Sequence, residues 1–141
     1  MAIARKPLMI LGLAVGFFLA GALAEKAATK DVPTVQKLAD ARVTAARKAY
    51  EETALLYREA RTRDVDRIYL WSRRWLDAQR DAAKGKADEE AAYAGHWNRM
   101  KAVEDSVKNR LRSGAAAAIE VPAVEFYRLE AEIWLSQARA K

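Results

Sequence analysis

The sequence predicts an all-α protein of antiparallel coiled-coil hairpins, one long central helix flanked by two shorter helices. Three observations carry this. Alanine, glutamate, lysine, arginine and leucine dominate, while glycine and proline number only 6 and 3, the composition of long helices. Apolar residues recur at steps of three and four along most of the chain, as one face of a helix requires. Runs of β-branched residues with alternating polarity, the mark of strands, are missing. At 141 residues the chain is long enough for one domain.

Residues 1–24 read as a secretory signal peptide. Arg5 and Lys6 form a charged start, Leu8 to Ala20 is uninterruptedly apolar, and Ala22-Leu23-Ala24 supplies a small-x-small cleavage site before Glu25. The competing reading is a retained anchor, since Pro7 to Ala24 just reaches the length of a membrane span. Membrane contact is expected only in that case. The remainder is placed outside the cytoplasm, in the periplasm. Residues 25–34 form a polar linker, with Asp31 as a candidate N-cap and Pro33 suited to a first turn. Residues 35–141 form the helical domain.

The first helix is expected near 33–60. Ala39, Val43, Ala46, Tyr50, Thr53, Tyr57 and Ala60 step by four and three, a heptad seam of mostly small residues. Arg61 to Asp64 breaks the seam, and Thr62 or Asp64 is placed to cap the next helix. The long helix is expected over 65–112. Its stripe holds Ile68, Trp71, Trp75, Ala78 and Ala82, then resumes at Tyr93 with Trp97, Met100, Val107 and Leu111. Gly85 and Gly95 are its weak points, each costing about 1 kcal/mol relative to alanine. A break at either would give four helices instead of three. Gly114 ends this helix as its C′ residue. Glu120, Pro122 and Glu125 open the last helix, expected near 120–139, with its stripe at Val124, Tyr127, Ala131, Trp134 and Ala138.

A shift of 53 residues superposes the two turns. Lys48, Ala49 and Glu51 fall on Lys101, Ala102 and Glu104; Ile68 falls on Val121; Leu76 and Ala78 fall on Leu129 and Ala131. The clustering around both turns suggests a duplicated helix–turn–helix unit. The second turn resembles the helical hairpin tip of TolC-type outer-membrane efflux proteins. In that family a glycine ends one helix, an acid and a valine follow six and seven positions on, and an alanine sits eleven beyond the acid. Here these are Gly114, Glu120, Val121 and Ala131. The first turn keeps the hydrophobe and the alanine, as Ile68 and Ala78, but places Arg61 at the glycine and Arg67 at the acid. The resemblance covers roughly residues 45–138. It implies hairpin geometry and a place in an efflux-related envelope assembly. The family's barrel strands have no counterpart here.

Chemistry is sparse. With no cysteine there is neither a disulfide nor a thiolate metal site. One histidine, His96, lies near Glu89 and Glu90, but Glu89 is two helical turns away and no second histidine completes a ligand set. No serine has a histidine near it in sequence to activate it. No glycine loop cradles a phosphate. No catalytic residue, metal or cofactor is therefore expected. Without Arg5 and Lys6 the chain keeps 23 basic residues against 19 acidic ones. The excess gathers at Arg58, Arg61, Arg63, Arg67, Arg73 and Arg74, which read as a solvated turn; no nucleic-acid partner is expected. Tyr50, Tyr57, Trp71, Trp75, Trp97, Tyr127 and Trp134 read as packing residues at helix seams. The function that follows is an exported, non-catalytic coiled-coil protein that acts by protein–protein contact or self-association. The alternative is a periplasmic holdase-like chaperone with basic helical arms.

Overall fold

A computed structural model describes residues 34–140, and these are all-helical. The expected signal peptide over residues 1–24 and nearly all of the expected linker lie outside the described residues. Four helices follow in order: α1 (Val35–Arg58), α2 (Val65–Ala82), α3 (Lys86–Arg112) and α4 (Glu120–Ala140). The long helix expected over 65–112 is thus two helices, broken at one of the two glycines that weaken it.

The reason is local and tertiary together. Ala83 and Gly85 take extended backbone. The Asp88 carboxylate reaches back to accept the Lys84 N–H at 3.0 Å, which favours starting a new helix over continuing the old one. The apolar stripe lapses between Ala82 and Tyr93, so a straight helix would have nothing to bury there. Folding back lets α2 and α3 bury Ile68, Leu76, Met100 and Val107 against the rest of the core, several kcal/mol of apolar burial that an extended helix would forgo. Gly95, by contrast, stays inside α3. A Cβ there would lie 3.3 Å from the Arg99 guanidinium, so Gly95 leaves room for Arg99 to fold over it.

Thr34 caps α1, its Oγ1 accepting the Lys37 N–H; Asp31, the cap candidate of the sequence, lies outside the described residues. Asp64 caps α2 by accepting the Arg67 N–H at 3.0 Å. The turns after α1 and α3 share one construction. The Arg61 N–H donates to the Leu56 carbonyl and the Ala60 N–H to that of Tyr57; the Ala115 N–H donates to the Arg110 carbonyl and the Gly114 N–H to that of Leu111. Each is a Schellman cap with one left-handed residue, Ala60 at φ 57° and Gly114 at φ 73°. Ala60, not Arg61, is therefore the counterpart of Gly114. The repeat at this point runs at 54 residues, one more than the sequence alignment chose. Burial agrees: Ala46 and Thr53 are buried on α1, as are Met100 and Val107 on α3.

Successive helices run antiparallel and pack as neighbours. α2 and α4 lie parallel, as a constant offset shows: Asp66 meets Tyr127, Tyr69 meets Glu130, and Arg73 covers Trp134. A continuous helix over 65–112 would have held the turns near Arg61 and Gly114 at opposite ends; the break at Gly85 overturns that. Both lie at one end, where Tyr57 donates to Glu120 Oε2 at 2.6 Å and Arg110 donates to the carbonyls of Tyr57 and Ala115. The core at this end joins Tyr57, Ile68, Met100, Val107, Val124 and Ala131.

Candidate functional site

The most chemically loaded place in the molecule is where α2 and α3 face each other. Ser72 and His96 occupy seam positions, so both helices turn them inward, and both are fully buried. Ser72 Oγ lies 2.8 Å from His96 Nδ1 and accepts a hydrogen bond from Arg99 Nε at 2.8 Å. The hydroxyl proton is then free to point to Nδ1, which leaves the ring proton on Nε2. That nitrogen has no hydrogen-bond partner among the described residues. Arg99 also donates to the Ser72 carbonyl at 3.3 Å.

Aromatic rings wall this network. His96 stacks on Trp134, with centroids 5.7 Å apart and planes within 18°. Tyr69 stands on its flank. The Arg99 guanidinium lies over Trp75 at 4.0 Å, and Tyr50 meets the same Trp75 at 5.7 Å. Arg73 covers Trp134 at 4.2 Å. Burial pushes the His96 imidazole down to about 3, with help from the nearby charges of Arg99 and Arg73, so it is neutral at physiological pH. Burial likewise lowers Arg99, to about 10.

A serine hydrogen-bonded to a histidine invites a nucleophilic reading, and the sequence did not foresee the pair. The geometry argues against that role. Neither side chain has exposed surface. Among the described residues nothing orients the imidazole through Nε2, as a catalytic base needs. Arg99 occupies a lone pair of the hydroxyl. What the network does is fix α2 against α3 in one register, because each of its three hydrogen bonds crosses from one helix to the other. Glu89 and Glu90 do not approach His96 as a ligand set; they pair with Arg80 and Arg139. No group of three or more His, Asp or Glu side chains among the described residues is arranged to hold a metal.

A second buried polar site joins α3 to α4. Glu104 accepts from Lys108 at 2.7 Å and from Arg128 Nε at 2.8 Å, and Arg128 also reaches Glu132. Burial acts to raise the Glu104 carboxyl, but these charged hydrogen bonds outweigh it and hold it below its usual range.

The structure gathers most of the sequence-predicted packing residues around these places. Tyr50, Trp75 and Trp134 wall the Arg99–Ser72–His96 network. Tyr127 stacks on Tyr69 at 4.1 Å. Trp97 packs at the edge of the core. Trp71 is only half-buried, beneath Arg74 at 4.6 Å. Of the turn residues, Arg61 and Gly114 close the two Schellman caps, Asp64 caps α2, and Glu120 begins α4 with Val121 behind it. Ser72, Arg99, Glu104 and Arg128 were missed. The available signal was a polar side chain on an otherwise apolar stripe: Ser72 follows Ile68 by four, and His96 lies three after Tyr93 and four before Met100.

One further feature is at the surface. Phe126, Leu129 and Ile133 on α4 are 60 %, 44 % and 55 % exposed, and Ile119 just ahead of the helix is 79 % exposed. With Pro122 they step by three and four. At 100° per residue they lie opposite the buried Val124, Ala131, Leu135 and Ala138. α4 thus carries two apolar stripes, and the intramolecular core covers only one.

No protein-family model matches the chain, and no characterised protein or solved structure is similar enough to be counted a relative.

Proposed function

We propose that this is an exported, non-catalytic helical protein that acts by protein–protein contact through coiled-coil packing. The observation that carries this reading is the outer stripe of α4. A helix in a monomer needs one apolar face, and the second invites a helical partner. The Ser72–His96 pair supports the same reading, since both side chains are buried among aromatic rings where no substrate reaches them. No described helix is long and apolar enough to cross a membrane. The N-terminal segment supports export, and the hairpin motif at Gly114, Glu120, Val121 and Ala131 supports a place in an envelope assembly.

The test is affinity capture from the native envelope with the wild-type chain and with a Phe126→Glu/Ile133→Glu variant. One defined partner, lost in the variant, supports the proposal. Substoichiometric protection of an unrelated unfolded client, equal in both proteins, would instead support a holdase. Turnover of a substrate abolished by Ser72→Ala in a folded protein would overturn the non-catalytic reading.

A further inference from the structure

The outer stripe of α4 also indicates which partner fits it. We propose that it is the self-association surface of this chain, closing a two-fold dimer in which α4 packs antiparallel on α4 of a second copy. This rests on the reading above that the stripe is a contact surface, and it names the occupant.

The argument is charge and register. Two antiparallel registers stack apolar layers: setting Phe126 beside Leu129 of the second copy brings Glu125 against Glu132 twice, so charge selects the other, which sets Leu129 beside Ile133 of the second copy, and Ile133 beside Leu129. Residues at one level then have numbers that add to about 262. Glu125, Glu132 and Arg139 recur every seven residues along one flank of the stripe. Side chains lean toward the N-terminus of their own helix, so in this register Glu125 converges on Arg139 of the second copy. The two-fold axis makes that contact twice. Glu125 has no ion pair among the described residues. Arg139 makes one bond through Nε, to Glu90 at 3.0 Å, so its other donors remain available. Glu132 meets its own counterpart on this flank and Glu130 its own on the other, but within each copy Arg128 neutralises Glu132 at 2.5 Å and the Tyr69 hydroxyl donates to Glu130.

The alternatives fit less well. A parallel pairing sets Glu125 against Glu130 of the other chain, twice, and like charges across a helical seam select against it. A lipid surface favours Lys and Arg flanking the apolar stripe, whereas the flanks of α4 carry three acids, Glu125, Glu130 and Glu132, against one base, Arg139.

The chain has no cysteine, so introduced thiols report cleanly. Full-length Glu125→Cys and Arg139→Cys chains, differently tagged, are co-expressed and oxidised. The expected result is a mixed 125–139 disulfide at least tenfold above either same-site species. A dominant 125–125 species, or no cross-link at all, overturns the proposal. In sedimentation, Phe126→Glu/Ile133→Glu should raise the dimer dissociation constant at least tenfold with unchanged helicity, since both residues are exposed. Glu125→Arg should weaken the dimer, and adding Arg139→Glu should restore it. A monomeric chain that captures another helical protein, or binds neutral vesicles, through the same residues overturns the dimer. Of these results, only capture of the protein leaves the broader contact function standing.

Discussion

Ser72 and His96, 24 residues apart in sequence, meet at 2.8 Å inside the hairpin of α2 and α3. The contact exists only because the chain turns back at Lys84 and Gly85. It makes the fold sensitive to acid. The neutral imidazole is favoured in the folded state, at about 3 against an ordinary 6.5. Stability from this group is complete above about pH 6.5 and is lost as pH falls toward 3, by up to about 4–5 kcal/mol for a shift of this size. Urea denaturation between pH 7.5 and 4 should show the decline, and His96→Gln should flatten its upper part, between pH 7 and 5, where most carboxylates do not yet titrate.

Ser72→Ala should cost about 2–3 kcal/mol. It removes the acceptor of Arg99 Nε and the donor to His96 Nδ1 at once, leaving buried polar groups unpaired. Chemical denaturation measures the loss. A cost near zero would mean that the network does not hold the two helices together.

The two Schellman turns should respond in opposite directions to reciprocal substitutions. Ala60→Gly relieves a left-handed alanine and should stabilise by about 0.5–1 kcal/mol after the entropic cost of glycine in the unfolded chain. Gly114→Ala should destabilise by about 1 kcal/mol. Thermal denaturation of both variants checks the pairing of Ala60 with Gly114.

Tyr57→Phe should cost about 1–3 kcal/mol, since it leaves Glu120 Oε2 buried without its donor. Hydrogen exchange should quicken in both turns together, because Tyr57 and Arg110 tie one to the other. Faster exchange in only one turn would contradict the shared end.

Spin labels at residues 62 and 116 report the hairpin directly. A continuous helix over 65–112 would hold them about 72 Å apart, whereas turns at one end should bring them within about 25 Å, roughly two helix diameters. Gly85→Ala should leave the distance short, since packing of α2 on α3 outweighs about 1 kcal/mol of helix propensity.

Helicity, the places of α1 and α4, and the two similar turns between helices were all legible along the chain. Those features rest on short-range rules: periodicity, caps, and a glycine at C′. The break at Gly85 was legible only as a weakness, an apolar stripe that lapses between Ala82 and Tyr93. Tertiary structure decided the rest. A glycine penalty of about 1 kcal/mol does not choose between a kink, a bend and a reversal; burial of Ile68, Leu76, Met100 and Val107 does. The same reversal placed Arg99 and His96 on Ser72, a meeting that no sequence spacing announces. It also brought both turns to one end, and it left the second apolar stripe of α4 on the outside, because the folded core has room for only one.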